Sequence, residues 1–135
     1  MSLIRLLFIL ALSLLSACAA VSTSDTSEPS TAQLTEADDG SSIELQAGDM
    51  LEIALPGNPT TGFQWEIKSV NKDILQPVGE QKFEPSSNAV GSGGSVTLSF
   101  EAKTPGQTKL ELIYHRSFEA NVAPIQTFEV TVTVR

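Results

Sequence analysis

Apolar and polar residues alternate with a period of two along most of the chain from residue 41 onward. The clearest runs are residues 51–55, 63–67, 96–100, 110–112 and 128–134. Such alternation is typical of half-buried β-strands, whose side chains point in turn towards a core and towards water. The pattern therefore predicts about seven strands and an all-β fold.

Turn-forming residues separate these runs, in the segments "AGD", "PGNPTTG", "GSGG", "TPGQ" and "NVAP". No long apolar period of 3.6 residues follows the first 17 residues, so helices are not predicted there. The spacing of strands and turns favours an immunoglobulin-like antiparallel β-sandwich over residues 41–135. The Cys-Trp-Cys pattern of antibody domains is absent, and we expect Trp65 to lie in a core without a disulfide.

The first 17 residues have the pattern of a secretory signal peptide, with Arg5 before an apolar run over residues 6–15 and a small-residue end. The run is too short to span a bilayer as a helix. The sequence Leu15-Ser16-Ala17-Cys18 resembles a bacterial lipobox, which implies cleavage before Cys18 and lipid attachment to its sulfur. The alternative is an ordinary signal peptide with a leftover thiol at Cys18.

Residues 18–40 are rich in Ser, Thr, Asp and Glu and contain few large apolar side chains. We predict that this segment is a flexible tether between the lipidated Cys18 and a globular domain. The chain of 135 residues leaves no room for a second domain. The expected location is that of an exported bacterial lipoprotein. Ala19 after the cysteine favours the outer membrane, facing the periplasm or the exterior.

The chain is acidic, with a formal net charge of −8. Removal of residues 1–17, whose single charged residue is Arg5, would change this charge to −9. An acidic surface argues against nucleic acid as a partner and against electrostatic binding to anionic lipids. We therefore expect membrane attachment through the lipid anchor only.

The candidate catalytic residues do not combine into a site. His115 is the single histidine and Cys18 the single cysteine, so a Ser-His-Asp or Cys-His arrangement has no evident partner residues. A zinc site needs more His or Cys, and "GSGG" lacks the Lys-Ser/Thr of a phosphate-binding loop. The sequence predicts a binding module, expected to be a monomer, that is not an enzyme and needs no cofactor or metal.

The segment Asn58-Pro59-Thr60-Thr61-Gly62-Phe63 lies between two predicted strands. Pro59 fixes its own φ and favours an extended Asn58, while Gly62 can adopt a positive φ. The β-branched Thr60 and Thr61 are stiff at χ1. We expect a preorganised loop with uncharged hydroxyls at its tip, which suits insertion into a cleft. On these residues alone, however, a simple hairpin turn is the favoured interpretation.

Three segments together resemble the chagasin family of cysteine-peptidase inhibitors. Residues 58–63 match the family's N-P-T-T-G-F loop without a change, and Gly91, Ser92, Gly93 and Gly94 match its G-x-G-G loop. Arg116, Ser117 and Phe118 occupy the place of the family's usual Arg-Pro-Trp. The departures at Ser117 and Phe118 leave a freer loop with less aromatic contact area. The resemblance covers residues 41–135.

The resemblance implies an immunoglobulin-like sandwich whose three loops enter the active-site cleft of papain-like cysteine peptidases. In that arrangement residues 58–63 cover the catalytic Cys and His, and the other two loops contact the flanks. The implied function is reversible inhibition in which the inhibitor is not consumed. The alternatives are a cell-envelope adhesion or scaffold lipoprotein, or an accessory domain of a lipoprotein complex, without inhibitory activity.

Overall fold

A computed structural model describes residues 27–135, so the predicted signal peptide and Cys18 lie outside the described residues. No helix between residues 27 and 135 has the length and apolar character needed to cross a membrane. Two single-turn 3₁₀ helices occur, at Glu36–Asp38 and Pro59–Thr61. The nine strands of this range are β1 (Thr31–Thr35), β2 (Ser41–Leu45), β3 (Met50–Gly57), β4 (Gln64–Ser69), β5 (Leu75–Pro77), β6 (Lys82–Pro85), β7 (Gly94–Ala102), β8 (Gly106–His115) and β9 (Gln126–Val134).

The strands form two sheets. The first has the order β1-β3-β7-β5. β6 pairs with the same edge of β7 as β5 does, but β5 lies beside residues 100–102 of β7 and β6 beside residues 94–97. The second has the order β2-β9-β8-β4. The predicted all-β immunoglobulin-like sandwich is confirmed. It is antiparallel except at two edges, because β1 runs parallel to β3 and β2 runs parallel to β9.

The core lies between the two sheets and follows the period-two pattern of the sequence. Along β7, buried Val96, Leu98 and Phe100 alternate with partly exposed Thr97 and Ser99. The largest fully buried side chains come from both sheets: Leu51, Ile53, Leu55, Leu75, Phe100, Leu110, Leu112, Phe128, Val130 and Val132. Trp65 is 3% exposed and belongs to the same core, which confirms its predicted position.

The prediction of a flexible tether over residues 18–40 is wrong for residues 31–40. Thr31–Thr35 forms an edge strand paired with β3, and Leu34 is buried in the core. The following turn is held by a capping box between Thr35 and Asp38 and by a 2.8 Å hydrogen bond from the Glu129 amide to Asp39. The polar composition of this segment indicated a tether, but the edge strand β1 buries only one side chain, that of Leu34. The part of the predicted tether before residue 27 lies outside the described residues.

The folded domain therefore begins near Ser30 instead of residue 41. Asp49 is 7% exposed, and its carboxylate accepts 2.8 Å hydrogen bonds from the backbone amides of Ser30 and Gln46. These two hydrogen bonds lower the pKa of Asp49 below its ordinary value. They tie the start of β1 to the turn that precedes β3.

Strand direction defines two ends of the sandwich. We call the end where β3 and β8 finish and β7 and β9 begin the loop pole; Gly57 there pairs with Gly94, and Tyr114 with Gln126. We call the other end the entry pole, because Thr31 of β1 lies there beside Met50 of β3. The eight residues of β3 separate the poles by roughly 25 Å, at about 3.3 Å per residue.

Candidate functional site

The three segments singled out in the sequence meet at the loop pole. The wedge loop, residues 58–63, joins β3 to β4; the glycine loop, residues 86–93, joins β6 to β7; and the third loop, residues 116–125, joins β8 to β9. They are neighbours because Gly57 pairs with Gly94 in one sheet and Gln64 pairs with His115 in the other. The sandwich thus places side by side three segments that are far apart in the sequence.

The wedge loop has the backbone geometry that its residues predict. Asn58 is extended, with φ −144° and ψ 93°, and Gly62 closes the single 3₁₀ turn with φ 81°. The Asn58 side-chain oxygen accepts hydrogen bonds from the amide (3.2 Å) and the hydroxyl of Thr60. The Thr61 hydroxyl donates to the Asn58 carbonyl oxygen at 2.7 Å. Because these polar groups satisfy one another, the loop is preorganised.

A hydrogen bond joins the wedge loop to the glycine loop. The Asn58 side-chain amide donates to the Gly91 carbonyl oxygen at 3.0 Å. The two backbones approach closely at Gly93, where an added Cβ would lie 3.5 Å from the Gly57 carbonyl oxygen. Within the glycine loop, the Ser92 hydroxyl donates to the Ser87 carbonyl oxygen at 2.9 Å. The glycine loop therefore supports one flank of the wedge loop.

Gly94 differs from the other three residues of the predicted glycine segment. It is the first residue of β7, and it pairs with both Gly57 and Pro85. A Cβ at this position would overlap the carbonyl oxygen of Glu84. Close packing between strands requires this glycine, whereas Gly91, with φ 77°, lies in the loop itself.

Arg116 of the third loop supports the opposite flank of the wedge loop. Its Nε donates to the Thr61 carbonyl oxygen at 3.1 Å, and its guanidinium lies 4.3 Å from the centre of the Phe63 ring. One guanidinium nitrogen, Nη1, forms an ion pair with Glu119 at 3.0 Å. The arginine thus stabilises the wedge loop by a hydrogen bond and a cation–π contact, while Glu119 balances its charge. Nothing in the sequence pattern indicated that Glu119 would pair with Arg116.

The two residues that depart from the family's Arg-Pro-Trp pattern both touch neighbouring segments. The Gln64 side-chain amide donates to the Ser117 hydroxyl at 3.2 Å. Phe118 is 73% exposed, and one edge of its ring lies over Gly62, where an added Cβ would be 3.1 Å from Cε1. Together with the contacts of Arg116, they position the third loop, which has Ser117 where the family usually has proline.

Aromatic residues form the base of the wedge loop. The ring centres of Phe63 and Tyr114 are 5.5 Å apart, and those of Trp65 and Tyr114 are 5.1 Å apart. The Tyr114 hydroxyl accepts a 2.8 Å hydrogen bond from the Asn58 amide, and Trp65 Nε1 donates to the Pro56 carbonyl oxygen at 3.0 Å. Alternation in β8 indicates that Tyr114 points inward, but nothing in the sequence indicates that it reaches Asn58.

Exposed apolar side chains concentrate at the loop pole. Among the described residues, five large apolar side chains are exposed, and four of them lie in the glycine and third loops: Val90, Phe118, Val122 and Ile125. The uncharged tip of the wedge loop lies between these two loops. A concentration of exposed apolar side chains at one end of a domain is characteristic of a surface that binds another protein.

Candidate catalytic and metal-binding groups do not gather at this pole. His115 ends β8 and contacts the carboxylate of Glu66 on the neighbouring strand. Within residues 27–135, no group of three or more His, Cys, Asp or Glu side chains is placed to hold a metal ion. The geometry offers a binding surface.

A family model described as the chagasin family peptidase inhibitor I42 matches residues 44–132 of the chain. The chain belongs to the chagasin family. Chagasin of Trypanosoma cruzi is 32% identical over 88 residues, covering 62% of this chain and 80% of chagasin. Amoebiasin-1 of Entamoeba histolytica is 31% identical over 104 residues, covering 76% of this chain and 98% of amoebiasin-1.

The fold of this chagasin-family chain is similar to that of the solved cysteine protease inhibitor EhICP2 from Entamoeba histolytica. The TM-score is 0.70 at 27% identity, and the likeness covers 78% of this chain and 96% of EhICP2. The family is one of peptidase inhibitors and not of enzymes. The match contains all three loops of the loop pole, whereas β1 and the turn after it precede the matched residues.

Proposed function

We propose that this protein is a reversible inhibitor of papain-like cysteine peptidases, and that its loop pole enters the active-site cleft. Membership of a peptidase-inhibitor family supports inhibition, and the cysteine protease inhibitor EhICP2 supports the class of target. The observation that carries the proposal is the preorganised wedge loop, which the glycine loop and Arg116 hold from both sides.

The contact residues proposed for the peptidase are the three segments of the resemblance. They are Asn58, Pro59, Thr60, Thr61, Gly62 and Phe63 in the centre, Gly91, Ser92, Gly93 and Gly94 on one flank, and Arg116, Ser117 and Phe118 on the other. In this assignment Gly94 and Arg116 act mainly by positioning the loops. The exposed Val90 and Phe118 supply apolar contact area on the two flanks.

The charges of the site suit a catalytic thiolate–imidazolium pair. The wedge tip at Thr60 and Thr61 is neutral and exposed, so it can cover the pair without burying a like charge against the imidazolium. The Arg116 cation is already paired with Glu119 at 3.0 Å. The turn geometry of the wedge loop also differs from the extended peptide that a peptidase cleaves, so we expect the inhibitor not to be consumed.

Titration of the mature chain against papain tests this proposal. We expect stoichiometric, reversible loss of activity at micromolar concentration or below, and recovery of intact inhibitor from the complex. Binding should persist when the catalytic cysteine of the peptidase is replaced by alanine, because no covalent bond is needed. A bulky alkyl group on that cysteine should obstruct binding.

The variant Thr61→Arg is the matched test within the inhibitor. It would place a strongly solvated cation beside the catalytic imidazolium, where burial of a like charge is costly. We expect the inhibition constant to rise at least about tenfold, which corresponds to ~1.4 kcal/mol. A folded wild-type chain that fails to inhibit any of a panel of papain-like peptidases at micromolar concentration would refute the proposal in favour of an adhesion or scaffold role.

We further propose that the protein is an exported lipoprotein, anchored through acyl chains on Cys18 in the outer membrane. The support is the order of Arg5, the apolar run, the small residues and the cysteine in the sequence. The variant Cys18→Ser should lose the lipid mass and leave the detergent-extracted membrane fraction. Unchanged mass and membrane retention in that variant would contradict the anchor.

A further inference from the structure

We propose that the membrane lies at the entry pole, so that the loop pole faces away from it and captures a peptidase from the aqueous phase while the inhibitor stays anchored. This inference rests on the proposed function, because it assumes both a peptidase-binding loop pole and a lipid anchor at Cys18. It adds the orientation of the binding surface relative to the membrane.

The first step is the position at which the chain enters the sandwich. The Ser30 carbonyl oxygen accepts a hydrogen bond from the Met50 amide at 2.8 Å, and the Ser30 amide donates to Asp49 at 2.8 Å. Both partners lie at the start of β3, at the entry pole. Any anchor that precedes Ser30 in the chain is therefore connected to the domain at this end.

The second step is the direction of β1. It pairs in parallel with β3, from Thr31 beside Met50 to Thr35 beside Ala54, so both strands run towards the loop pole. The wedge loop follows β3 directly, beginning at Asn58. The length of β3 therefore separates the attachment point from the wedge by roughly 25 Å. A bilayer at the entry pole leaves the loops free for a globular partner.

The third step is that this orientation depends on β1 being part of the fold. A tether that continued to residue 40 would enter the sandwich part-way along β9, because the Gly40 amide donates to the carbonyl oxygen of Glu129, the fourth of the nine residues of β9 counted from the loop pole. An anchor there would lie closer to the wedge loop than an anchor at the entry pole does. Because β1 begins at the entry pole, it places the attachment point there and so determines which end of the sandwich faces the membrane.

The chain supplies a matched pair of attachment points that tests the orientation. Glu28 and Glu36 are both exposed, and neither belongs to the three loops. Glu28 precedes Ser30 at the entry pole, whereas Glu36 follows β1 on the loop-pole side. Glu28→Cys and Glu36→Cys, each made in the mature chain with Cys18→Ser, carry the same charge change and one thiol each.

Both variants are first titrated against papain in free solution and then coupled to maleimide-bearing phosphatidylcholine vesicles. We expect coupling at residue 28 to leave the inhibition constant within about twofold of the free value, and coupling at residue 36 to raise it at least tenfold. Loss of inhibition only after coupling at residue 28, or equal inhibition by both coupled proteins, would overturn the orientation. Failure of both uncoupled variants, with the wild type equally inactive, would instead overturn the proposed function and this inference with it.

Discussion

The side-chain amide of Asn58 donates a 3.0 Å hydrogen bond to the carbonyl oxygen of Gly91, 33 residues away in the sequence. The same side chain accepts a hydrogen bond from the Thr60 amide at 3.2 Å, so Asn58 both shapes the wedge loop and ties it to the glycine loop. Preorganisation of this kind reduces the conformational entropy that is lost on binding. The proposed inhibition therefore depends on contacts within the inhibitor as well as on those with the peptidase.

Replacement of Asn58 by alanine should weaken inhibition of papain about tenfold, or ~1.4 kcal/mol, since hydrogen bonds of ~0.5–1.5 kcal/mol each are removed. Asn71→Ala is the matched control, because the Asn71 side chain also accepts from an amide two residues ahead, that of Asp73, at 3.0 Å. Asn71 lies near Thr108 at the other end of the sandwich. Equal effects of the two variants on the inhibition constant would contradict the role of Asn58.

The variant Gly62→Val should raise the inhibition constant at least tenfold. A side chain is strained at φ 81°, and its Cβ would meet the Phe118 ring at 3.1 Å, so both the wedge and the third loop must shift. Gly48→Val is the control, because Gly48 also has a positive φ, 98°, but has open space around its Cβ and lies away from the loops. The control should lose stability in thermal unfolding while inhibiting normally.

The variant Phe118→Trp should tighten inhibition roughly two- to fivefold, which corresponds to about 0.4–1 kcal/mol. Phe118 is 73% exposed, so the larger ring fits without repacking and offers more contact area to a partner. Val78→Trp, at an exposed position outside the three loops, should leave the inhibition constant unchanged. No tightening by Phe118→Trp would indicate that the third loop does not reach the peptidase with this side chain.

Replacement of Trp65 by alanine should lower the free energy of unfolding by about 3–5 kcal/mol, measured by urea denaturation. The side chain is 3% exposed, contacts Tyr114 and donates a hydrogen bond to the Pro56 carbonyl oxygen. Phe118→Ala, which removes an exposed aromatic, should change the free energy by less than about 0.5 kcal/mol. A stability of Trp65→Ala equal to that of the wild type would exclude a core role.

Stability should fall in acid as Asp49 is protonated. Hydrogen bonds from the Ser30 and Gln46 amides lower the pKa of Asp49 below its ordinary value of 3.8. A carboxyl whose pKa is lower in the folded state stabilises the fold above the unfolded pKa, and this contribution is lost as pH falls through the folded pKa. Asp49→Asn should therefore be less stable than the wild type at pH 7, and the difference should shrink below about pH 3.8.

Asp73→Asn is the control for this pH dependence, because Asp73 is exposed and its side chain makes no hydrogen bond in the described structure. Urea denaturation at pH 7 and near pH 3 compares the three proteins. A constant difference between wild type and Asp49→Asn across this range would show that the Asp49 carboxylate does not contribute through its charge.

The sequence alone determined the strands that form the core and the local geometry of the wedge loop. Period-two alternation predicts which side chains are buried, as it does at Val96, Leu98 and Phe100. Burial of those side chains stabilises the sandwich. The extended Asn58 and the positive φ of Gly62 were predictable because they depend on the steric preferences of Pro59 and glycine. Such preferences act between neighbours in the chain.

Only the tertiary structure decided which residues hold the wedge loop and where the folded domain begins. The contacts of Asn58 with Gly91, of Arg116 with Thr61 and of Tyr114 with the Asn58 amide join residues that strand pairing brings together. β1 was missed because its alternation is weak, with Leu34 as its one buried residue, and because its stability comes from hydrogen bonds to β3. Backbone pairing of this kind carries no side-chain signal, so composition alone could not distinguish an edge strand from a tether.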